Sequence, residues 1–366
     1  MESLDERFNN KKENIKRNAN ICEKLFSAES VPLTMSIFVT NRCTLKCKHC
    51  FNHNQQGKDP YKAEKNELTI EQFEKISKSM GTFMKCYFSG GEPFIRKDLY
   101  KIVLMFAKNN KLSNISLSTN GQDTEGILKQ LELILNDLNE NTQLSLGFSL
   151  DGFEEFHDQI RGKGTFSKSI KTWEVCKQLQ TEHKNFKMYT CSTINTINQE
   201  IMASFLDWCI HGLRTQSVAL LKTRQSPRAG DAIKDIDINY FEDSMKVIEK
   251  NIKRGYLGRV DEPYTYINLQ VCKYVYSTIL QKKRAFECFA GKFGGYINYD
   301  GDVGVCEVLE PFANLKDYNY DFSKLWSDNA SNRNFAKDFP DCALCTHETE
   351  GIIPSLFFGE NDIEII

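Results

Sequence analysis

The residues of this chain whose types and spacing could do chemistry are Cys43-Thr44-Leu45-Lys46-Cys47-Lys48-His49-Cys50. The pattern is C-x3-C-x2-C, with His49 directly before the last cysteine and Phe51 directly after it. Three closely spaced thiolates on one loop can hold three irons of a cubane iron–sulfur cluster. The run holds no fourth thiolate, so one iron stays open to bind something else. An open iron beside a reductant is a reaction site. The competing chemistry is a structural zinc loop, although zinc knots recruit pairs spaced C-x2-C or C-x4-C plus a fourth ligand that closes the tetrahedron.

About forty residues further on, after the first helical stretch, comes Tyr87-Phe88-Ser89-Gly90-Gly91-Glu92-Pro93. Two adjacent glycines let main-chain groups approach a ligand with no Cβ in the way, and Glu92 adds an acceptor. Alone this would be an ordinary turn. Together with the cysteine run it resembles the radical S-adenosylmethionine (radical SAM) superfamily. The resemblance implies that the open iron chelates the amino and carboxylate groups of SAM, and that the reduced cluster cleaves SAM to methionine and a 5′-deoxyadenosyl radical. It further implies that the backbone of Gly90, Gly91, Glu92 and Pro93 holds the SAM amino group. His49 occupies the position whose side chain packs against the adenine, a packing ring rather than a metal ligand.

The elements that must position these residues read as alternating strands and helices. Short β-branched or aromatic runs lie near Met35–Thr40, Lys85–Ser89, Asn114–Thr119, Gln143–Leu150, Phe186–Ile194 and Thr215–Lys222. Amphipathic stretches lie between them: Thr69–Met80, opening with Thr69 and Gln72 at capping-box spacing, then Leu99–Asn109, Thr124–Asn139, Phe166–Gln180 and Gln199–His211. Strands alternating with helices predict an α/β fold with a parallel sheet and right-handed crossovers. The resemblance implies an open, partial (β/α)6 barrel, with active residues at the C-terminal ends of its strands as in closed barrels. Cys43, Gly90, Asn120 and Asp151 all follow the ends of predicted strands.

Two later motifs fit this layout. Ser118-Thr119-Asn120-Gly121 ends the third strand, and Ser149-Leu150-Asp151-Gly152 ends the fourth and continues into His157-Asp158-Gln159-Ile160-Arg161-Gly162. The resemblance implies contacts to the SAM ribose or methionyl carboxylate from Ser149 and Arg161, and it groups Asn120 with them. A guanidinium suits a carboxylate because it offers a planar fork. The alternative is turn chemistry for Asp-Gly and a solvated arginine. His157 is expected to be structural.

Composition sets the outer bounds. The chain has 366 residues, enough for one large core or two domains. Lys plus Arg number 47 against 49 Asp plus Glu, which gives no electrostatic case for nucleic acid or membrane as a main partner. Apolar runs fall far short of the ~18 residues a membrane span needs. The stretch Met1 to Asn20 is charged and lacks an apolar signal segment. Thirteen cysteines read as reduced thiols and cluster ligands in a cytoplasmic setting, not as a disulfide framework. Cys22, Cys86, Cys176, Cys191, Cys209 and Cys272, scattered singly, are expected to be buried and inert.

After residue 285 the texture changes to turns and short strands, Gly294-Gly295-Tyr296-Ile297-Asn298-Tyr299-Asp300-Gly301-Asp302. Cys288, Cys306, Cys342 and Cys345 sit here. Tyr299 to Asp302 reads as a hairpin turn that returns the chain beside Cys306, and Cys342 and Cys345 close the set from a C-terminal loop. This resembles the SPASM domain, in its shorter "twitch" version, which implies one auxiliary 4Fe–4S cluster with all four irons protein-bound. His347 could replace a ligand, but four thiolates already satisfy a cube. A zinc site closed by the same thiolates is the alternative.

The expected organisation is an N-terminal helical extension over 1–33, the barrel over 34–225, a helical substrate or linker region over 226–287 and the twitch domain over 288–366. The resemblance implies two 4Fe–4S clusters, SAM, and an external electron donor such as flavodoxin or ferredoxin. The expected reaction is a two-electron oxidation, the dehydrogenation of a polar small molecule such as a sugar, with the auxiliary cluster accepting an electron. The four-cysteine spacing is shared with aminoglycoside alcohol dehydrogenases, whereas the chain end Asp362-Ile363-Glu364-Ile365-Ile366 lacks the Gly-Gly tail of the molybdopterin cyclase. The alternative is crosslinking or epimerisation of a ribosomally made precursor peptide. Against it stands the short stretch before the first strand, too small for a leader-binding module. Substrate choice is expected between residues 222 and 287, where Lys222, Arg224 and Arg228 either bind a phosphate or carboxylate or form a solvated basic loop. Tyr274 and Tyr276 are expected to pack.

Overall fold

The computed structural model describes residues 32–54, 59–62, 64–257, 263–332, 342–347, 349 and 352–358. The helix expected over 1–33 lies outside the described residues but for its last two positions, as do Cys22 and the chain end from 359.

The strands are β1 (Thr34–Thr40), β2 (Lys85–Gly90), β3 (Asn114–Thr119), β4 (Gln143–Ser149), β5 (Phe186–Ile194), β6 (Val218–Lys222), β7 (Gly294–Ile297), β8 (Asp302–Gly304) and β9 (Ala313–Asn314). They form one nine-stranded sheet in the order β6-β5-β4-β3-β2-β1-β7-β8-β9. Pairing from β6 through β1 to β7 is parallel, and the last two pairings are antiparallel. Parallel neighbours need long crossovers, which the helices supply: α1 (Ile70–Met80), α2 (Leu99–Asn109), α3 (Thr124–Asp137), α4 (Glu154–Arg161), α5 (Thr165–Lys177), α6 (Leu179–Glu182) and α7 (Gln199–His211). Then follow α8 (Ile238–Lys253), α9 (Pro263–Gln281), α10 (Phe322–Asp328) and α11 (Ile353–Phe358). No helix among the described residues is long and apolar enough to cross a membrane.

Sequence decides which face each element buries. In β5, Phe186, Met188, Thr190, Ser192 and Ile194 are buried, while the alternate positions remain half-exposed. That period of two puts one face against helices and the other against the barrel interior. Edge-to-face rings join helices to strands, Phe106 on Phe88 at 5.7 Å and Trp173 on Phe148 at 5.1 Å. Thr69 and Gln72 form the expected capping box of α1, the Gln72 N–H donating to Thr69 Oγ1 at 3.3 Å and the Thr69 N–H to Gln72 Oε1 at 2.8 Å.

Several elements differ from the sequence reading. The sixth strand starts at Val218, because Thr215 turns its hydroxyl onto the Ser217 carbonyl at 2.7 Å. The helix expected over Phe166–Gln180 is two helices, α5 and α6. Helix α4 is not among the stretches that read as helical, and α8 lies within the region that reads as helical over 226–287 without standing out there. The segment from 288 is joined to the barrel sheet through β7, which pairs with β1. The edge of β6 is covered by α9: Asn268 Nδ2 donates to the Val218 carbonyl at 2.9 Å, and Cys272 Sγ lies 3.8 Å from that of Leu220.

Trp326 holds the C-terminal segment in place. Its ring lies so close over Gly295 of β7 that a Cβ there would stand 2.8 Å from Cη2, and it stacks on Phe322 at 5.3 Å. Phe322 in turn donates its N–H to Ser79 Oγ in α1 at 2.8 Å. Trp326→Ala is expected to cost about 3–5 kcal/mol, read as a lower urea midpoint. An unchanged midpoint would show that this packing does not support the fold.

Candidate active site

The inner faces of β1 to β6 and the loops at their C-terminal ends enclose a cavity of about 660 Å³. Cys43, Cys47 and Cys50 all line it, on the loop that follows β1. That loop is pinned from both sides. Lys48 donates its N–H to the Ile160 carbonyl of α4 at 2.9 Å, while Arg228 and Ala229, in the loop after β6, donate theirs to Cys50 at 3.1 Å and Lys48 at 2.9 Å. At its root the buried Arg42 forks onto Glu67, at 2.9 and 3.1 Å.

The thiols are ill suited to stand alone. Burial pushes Cys43 up to about 12 and Cys47 up to about 11, and raises Cys50 as well. A thiolate persists in such a place only beside a cation, and a bound metal deprotonates it outright. Donors already aim at two sulfurs: Asn120 Nδ2 lies 3.8 Å from Cys43 Sγ and Arg161 Nη1 3.8 Å from Cys47 Sγ. Among the described residues no three His, Cys, Asp or Glu side chains converge on a single-ion site. A lone zinc would need its thiolates at about 2.3 Å from one point, whereas a cubane spreads them over separate irons. The donor set fits the cluster.

Gly90 and Gly91 border the cavity, but their missing side chains make room for something other than a ligand. A Cβ on Gly90 would stand 2.1 Å from the Thr40 carbonyl oxygen, and one on Gly91 2.1 Å from that of Arg42. The glycines let the end of β2 lie directly on the root of the cysteine loop, where the Gly91 and Glu92 N–H groups donate to Thr40 at 2.9 Å and Arg42 at 2.7 Å. Glu92 is a brace. Burial pushes its carboxyl up to about 7, and it accepts from the Asn120 N–H at 2.7 Å and Thr119 Oγ1 at 3.0 Å. Pro93 is buried at the start of a short 3-10 turn and does not border the cavity; Ser149 does.

Arg161 is held by a residue the sequence reading did not single out for this role. Asp151, fully buried, accepts from Arg161 Nε at 2.6 Å and from the Thr193 N–H at 2.8 Å. Burial opposes its charge, yet the Arg161 guanidinium holds its carboxyl down at about 2. Burial lowers His49 to about 4, so its ring is neutral, and the 3.7 Å separation of His49 Nδ1 from Asp151 Oδ2 is a contact rather than an ion pair. His157 is structural, its Nδ1 accepting the Asp151 N–H at 3.2 Å. The signal in the sequence was an acid and an arginine ten residues apart across α4, a spacing that no local period reveals.

The second set of cysteines is found around β7 and β8, Cys288 before the first of these strands and Cys306 after the second. Cys288 and Cys306 pack with Ala290 and Val305. The Cys345 thiol, pushed up to about 11 by burial, also feels Cys306, Cys288 and His347. Cys342 is brought in by Arg284, whose N–H donates to Ala343 at 2.6 Å and whose Nη1 donates to the Cys342 carbonyl at 3.4 Å. The buried His347 presents Nδ1 to Glu307 Oε1 at 3.6 Å. Glu307 also pairs with Arg224, whose guanidinium sits 5.6 Å from the centre of the Phe51 ring. Lys222 Nζ donates to the Lys234 carbonyl at 2.9 Å. Lys222 and Arg224 thus brace the rim through their side chains, and Arg228 through its main-chain N–H. Cys191, expected to be inert and buried, is half-exposed and borders the cavity because it lies on the inner face of β5.

Residues 37–209 match the family model described as the radical SAM superfamily. The chain is 27% identical over 322 residues to Fe-coproporphyrin III synthase of Methanosarcina barkeri (strain Fusaro / DSM 804), covering 79% of this chain and 72% of that protein. It is 24% identical to the sporulation killing factor maturation protein SkfB of Bacillus subtilis (strain 168), over 76% of this chain and 61% of that one. Among solved structures, SuiB of Streptococcus suis bound to S-adenosylmethionine superposes with a TM-score of 0.60 at 17% identity, covering 87% of this chain and 73% of SuiB. SuiB bound to its precursor peptide SuiA gives 0.60 at 16% identity, covering 88% and 70%. At such identities the likeness to SuiB is one of fold.

Asp151→Asn leaves the buried Arg161 without its counter-charge and is expected to cost about 3–5 kcal/mol at neutral pH. A depressed carboxyl contributes stability above its unfolded value, and that contribution is lost as pH falls through the folded one. The gap between wild type and variant in urea midpoint should therefore close between pH 3.8 and about 2. A gap that persists there would refute the ion pair.

Proposed function

Given that this chain belongs to the radical SAM superfamily, we propose that it is an enzyme using SAM and two 4Fe–4S clusters to oxidise a polar organic substrate by two electrons. Cys43, Cys47 and Cys50 hold the first cluster, and Cys288, Cys306, Cys342 and Cys345 hold an auxiliary one. When bound, the first cluster and SAM supply a 5′-deoxyadenosyl radical able to take a hydrogen atom from an unactivated carbon. The single observation that carries this reading is the convergence of the three cysteines with Gly90, Gly91, Asn120, Ser149 and Arg161 on one cavity.

The chain's own residues bind, orient and exclude water. Arg161, kept charged and turned by Asp151, supplies a cation for the methionyl carboxylate. Asn120 and Ser149 offer polar groups on the same wall, and the neutral His49 offers a flat face for the adenine. Glu92 holds the ends of β2 and β3 together and leaves little of its carboxylate for a ligand. Fixing these groups before SAM arrives limits the ordering cost of binding.

The substrate is a polar small molecule such as a sugar-like alcohol, oxidised at a carbinol carbon. A second reading, modification of a ribosomally made peptide, is favoured by the similarity to SkfB and by the fold shared with SuiB, which has been solved with its precursor peptide. The similarity to Fe-coproporphyrin III synthase spans more of the chain and keeps a small-molecule substrate in first place.

Anaerobically reconstituted protein should contain on the order of eight irons and eight sulfides. Replacing Cys43, Cys47 and Cys50 together should halve that content and abolish 5′-deoxyadenosine formation. The double variant Cys342→Ala, Cys345→Ala should still cleave SAM but give little product. Iron for one cluster alone, or one equivalent of zinc, would sink the two-cluster reading. Deuterium placed on the reacting carbon should appear in 5′-deoxyadenosine; transfer from an amino-acid carbon of a precursor peptide would decide for the second reading.

A further inference from the structure

The potential of an iron–sulfur cluster is set by its net charge, by hydrogen bonds to its sulfurs and by its exposure to water. Two of these oppose reduction here. Three thiolates already bring negative charge, and the burial that pushes the Cys43 thiol up to about 12 penalises any further negative charge in the same place. What remains to favour an added electron is the set of donors around the sulfurs.

Donors from separate parts of the fold face the cysteine loop. Cys43 Sγ accepts from the Leu45 N–H at 3.4 Å and lies 3.8 Å from Asn120 Nδ2. Arg161 Nη1, on α4, is 3.8 Å from Cys47 Sγ. Arg228 lies against Cys50, its main-chain N–H donating to the Cys50 carbonyl at 3.1 Å. Burial raises the Cys50 thiol, and the Asn52 N–H and the charges of Arg228 and Arg161 act against that rise. Arg161 and Arg224 border the cavity, whereas Arg228 is not among the described residues that do, so its charge is not one that a ligand in the cavity meets.

Asn120 is the most closely specified of these donors. It is buried, its N–H donates to Glu92 Oε2 at 2.7 Å, and its carbonyl accepts from Ser169 Oγ at 2.7 Å and Gln122 Nε2 at 3.0 Å. Its Oδ1 accepts from the Gln122 N–H at 3.1 Å. An amide whose oxygen is engaged on one side presents its nitrogen on the other, and Nδ2 accordingly faces Cys43 Sγ and, at 3.3 Å, Thr44 Oγ1. A hydrogen bond to sulfur strengthens as the sulfur gains negative charge, and more so out of water. It therefore favours the reduced state.

We propose that Asn120, acting through Cys43 and together with Arg161 and Arg228, raises the reduction potential of the cluster held by Cys43, Cys47 and Cys50. The inference rests on the radical SAM reading for the cluster and adds to Asn120 a duty toward sulfur. One electron enters from an external low-potential carrier, and no bond forms or breaks.

A redox titration of the cluster-loaded protein without SAM, followed by electron paramagnetic resonance, reads this potential. The relevant signal is the one missing when Cys43, Cys47 and Cys50 are all replaced by alanine, and the auxiliary cluster is the internal reference. Asn120→Leu removes the donor and should make reduction about tenfold less favourable, a fall of about 59 mV for one electron. Asn120→Asp keeps an acceptor for Gln122 but puts an anion where the donor was, and should lower the equilibrium about a hundredfold. Arg228→Gln should also lower it about tenfold, while Arg228→Lys, which keeps the charge, should titrate like wild type. Arg161 is left intact, since its loss would strand the buried Asp151. Both Asn120 variants titrating like wild type would overturn the proposal, as would Arg228→Lys falling as far as Arg228→Gln, or the auxiliary signal moving equally. A variant that binds less iron than wild type would overturn it too, by showing a role in assembly instead. A wild-type protein without the signal would refute the cluster assignment itself, and its iron content tells that failure from the others.

Discussion

The rim of this barrel depends on one backbone contact, the seating of residues 90–92 on residues 40–42. Two N–H groups at the end of β2 donate to two carbonyls at the root of the cysteine loop, and two glycines leave no Cβ to hold the chains apart. Everything above follows from that closeness. It aims Glu92 sideways into the end of β3, where the Asn120 N–H meets it, and so places the Asn120 amide beside Cys43. The loop bearing the cysteines is consequently a continuation of the sheet rather than a flap upon it.

The same economy links the two groups of cysteines. Glu307, the residue after Cys306, reaches Arg224 in the loop after β6, and Arg224 lies over Phe51, the residue after Cys50. Beneath this strut, β7 pairs with β1, so the strand that leads out from Cys288 lies beside the strand that leads into Cys43. The relative placement of the two sites is set by main-chain pairing below and by a largely buried ion pair above.

Much of this was legible in the sequence because it is local. Strands β1 to β5 show as runs of apolar or alternating residues, α1 announces itself through Thr69 and Gln72, and the cysteine spacing reads directly. What the sequence left hidden is held by pairs far apart along the chain. Lys222 and Arg224 look like parts of an anion-binding cluster until the Lys234 carbonyl and Glu307 are seen to engage them, while Arg228 is tied to the Cys50 carbonyl by its main-chain N–H. The glycines of the Gly-Gly-Glu-Pro turn were expected to clear space for a ligand, yet their Cβ positions face neighbouring backbone. Asp151 was placed at the active end of a strand, with turn chemistry as the alternative, but its hold on Arg161 stayed hidden because nothing local connects the two. The joining of residues 294–314 to the main sheet leaves no trace in a period of two, since a strand's alternation does not name its neighbour.

Helix α9 has a consequence for traffic across the sheet's margin. By occupying the outward carbonyls of Val218 and Leu220, it denies β6 the free edge on which an extended chain could be recruited as an extra strand. A polypeptide visiting this enzyme gains no main-chain ladder at that border. Its recognition there would have to come from side chains dropping into the concave interior, which makes selectivity a matter of what each residue carries rather than of how well the backbone extends.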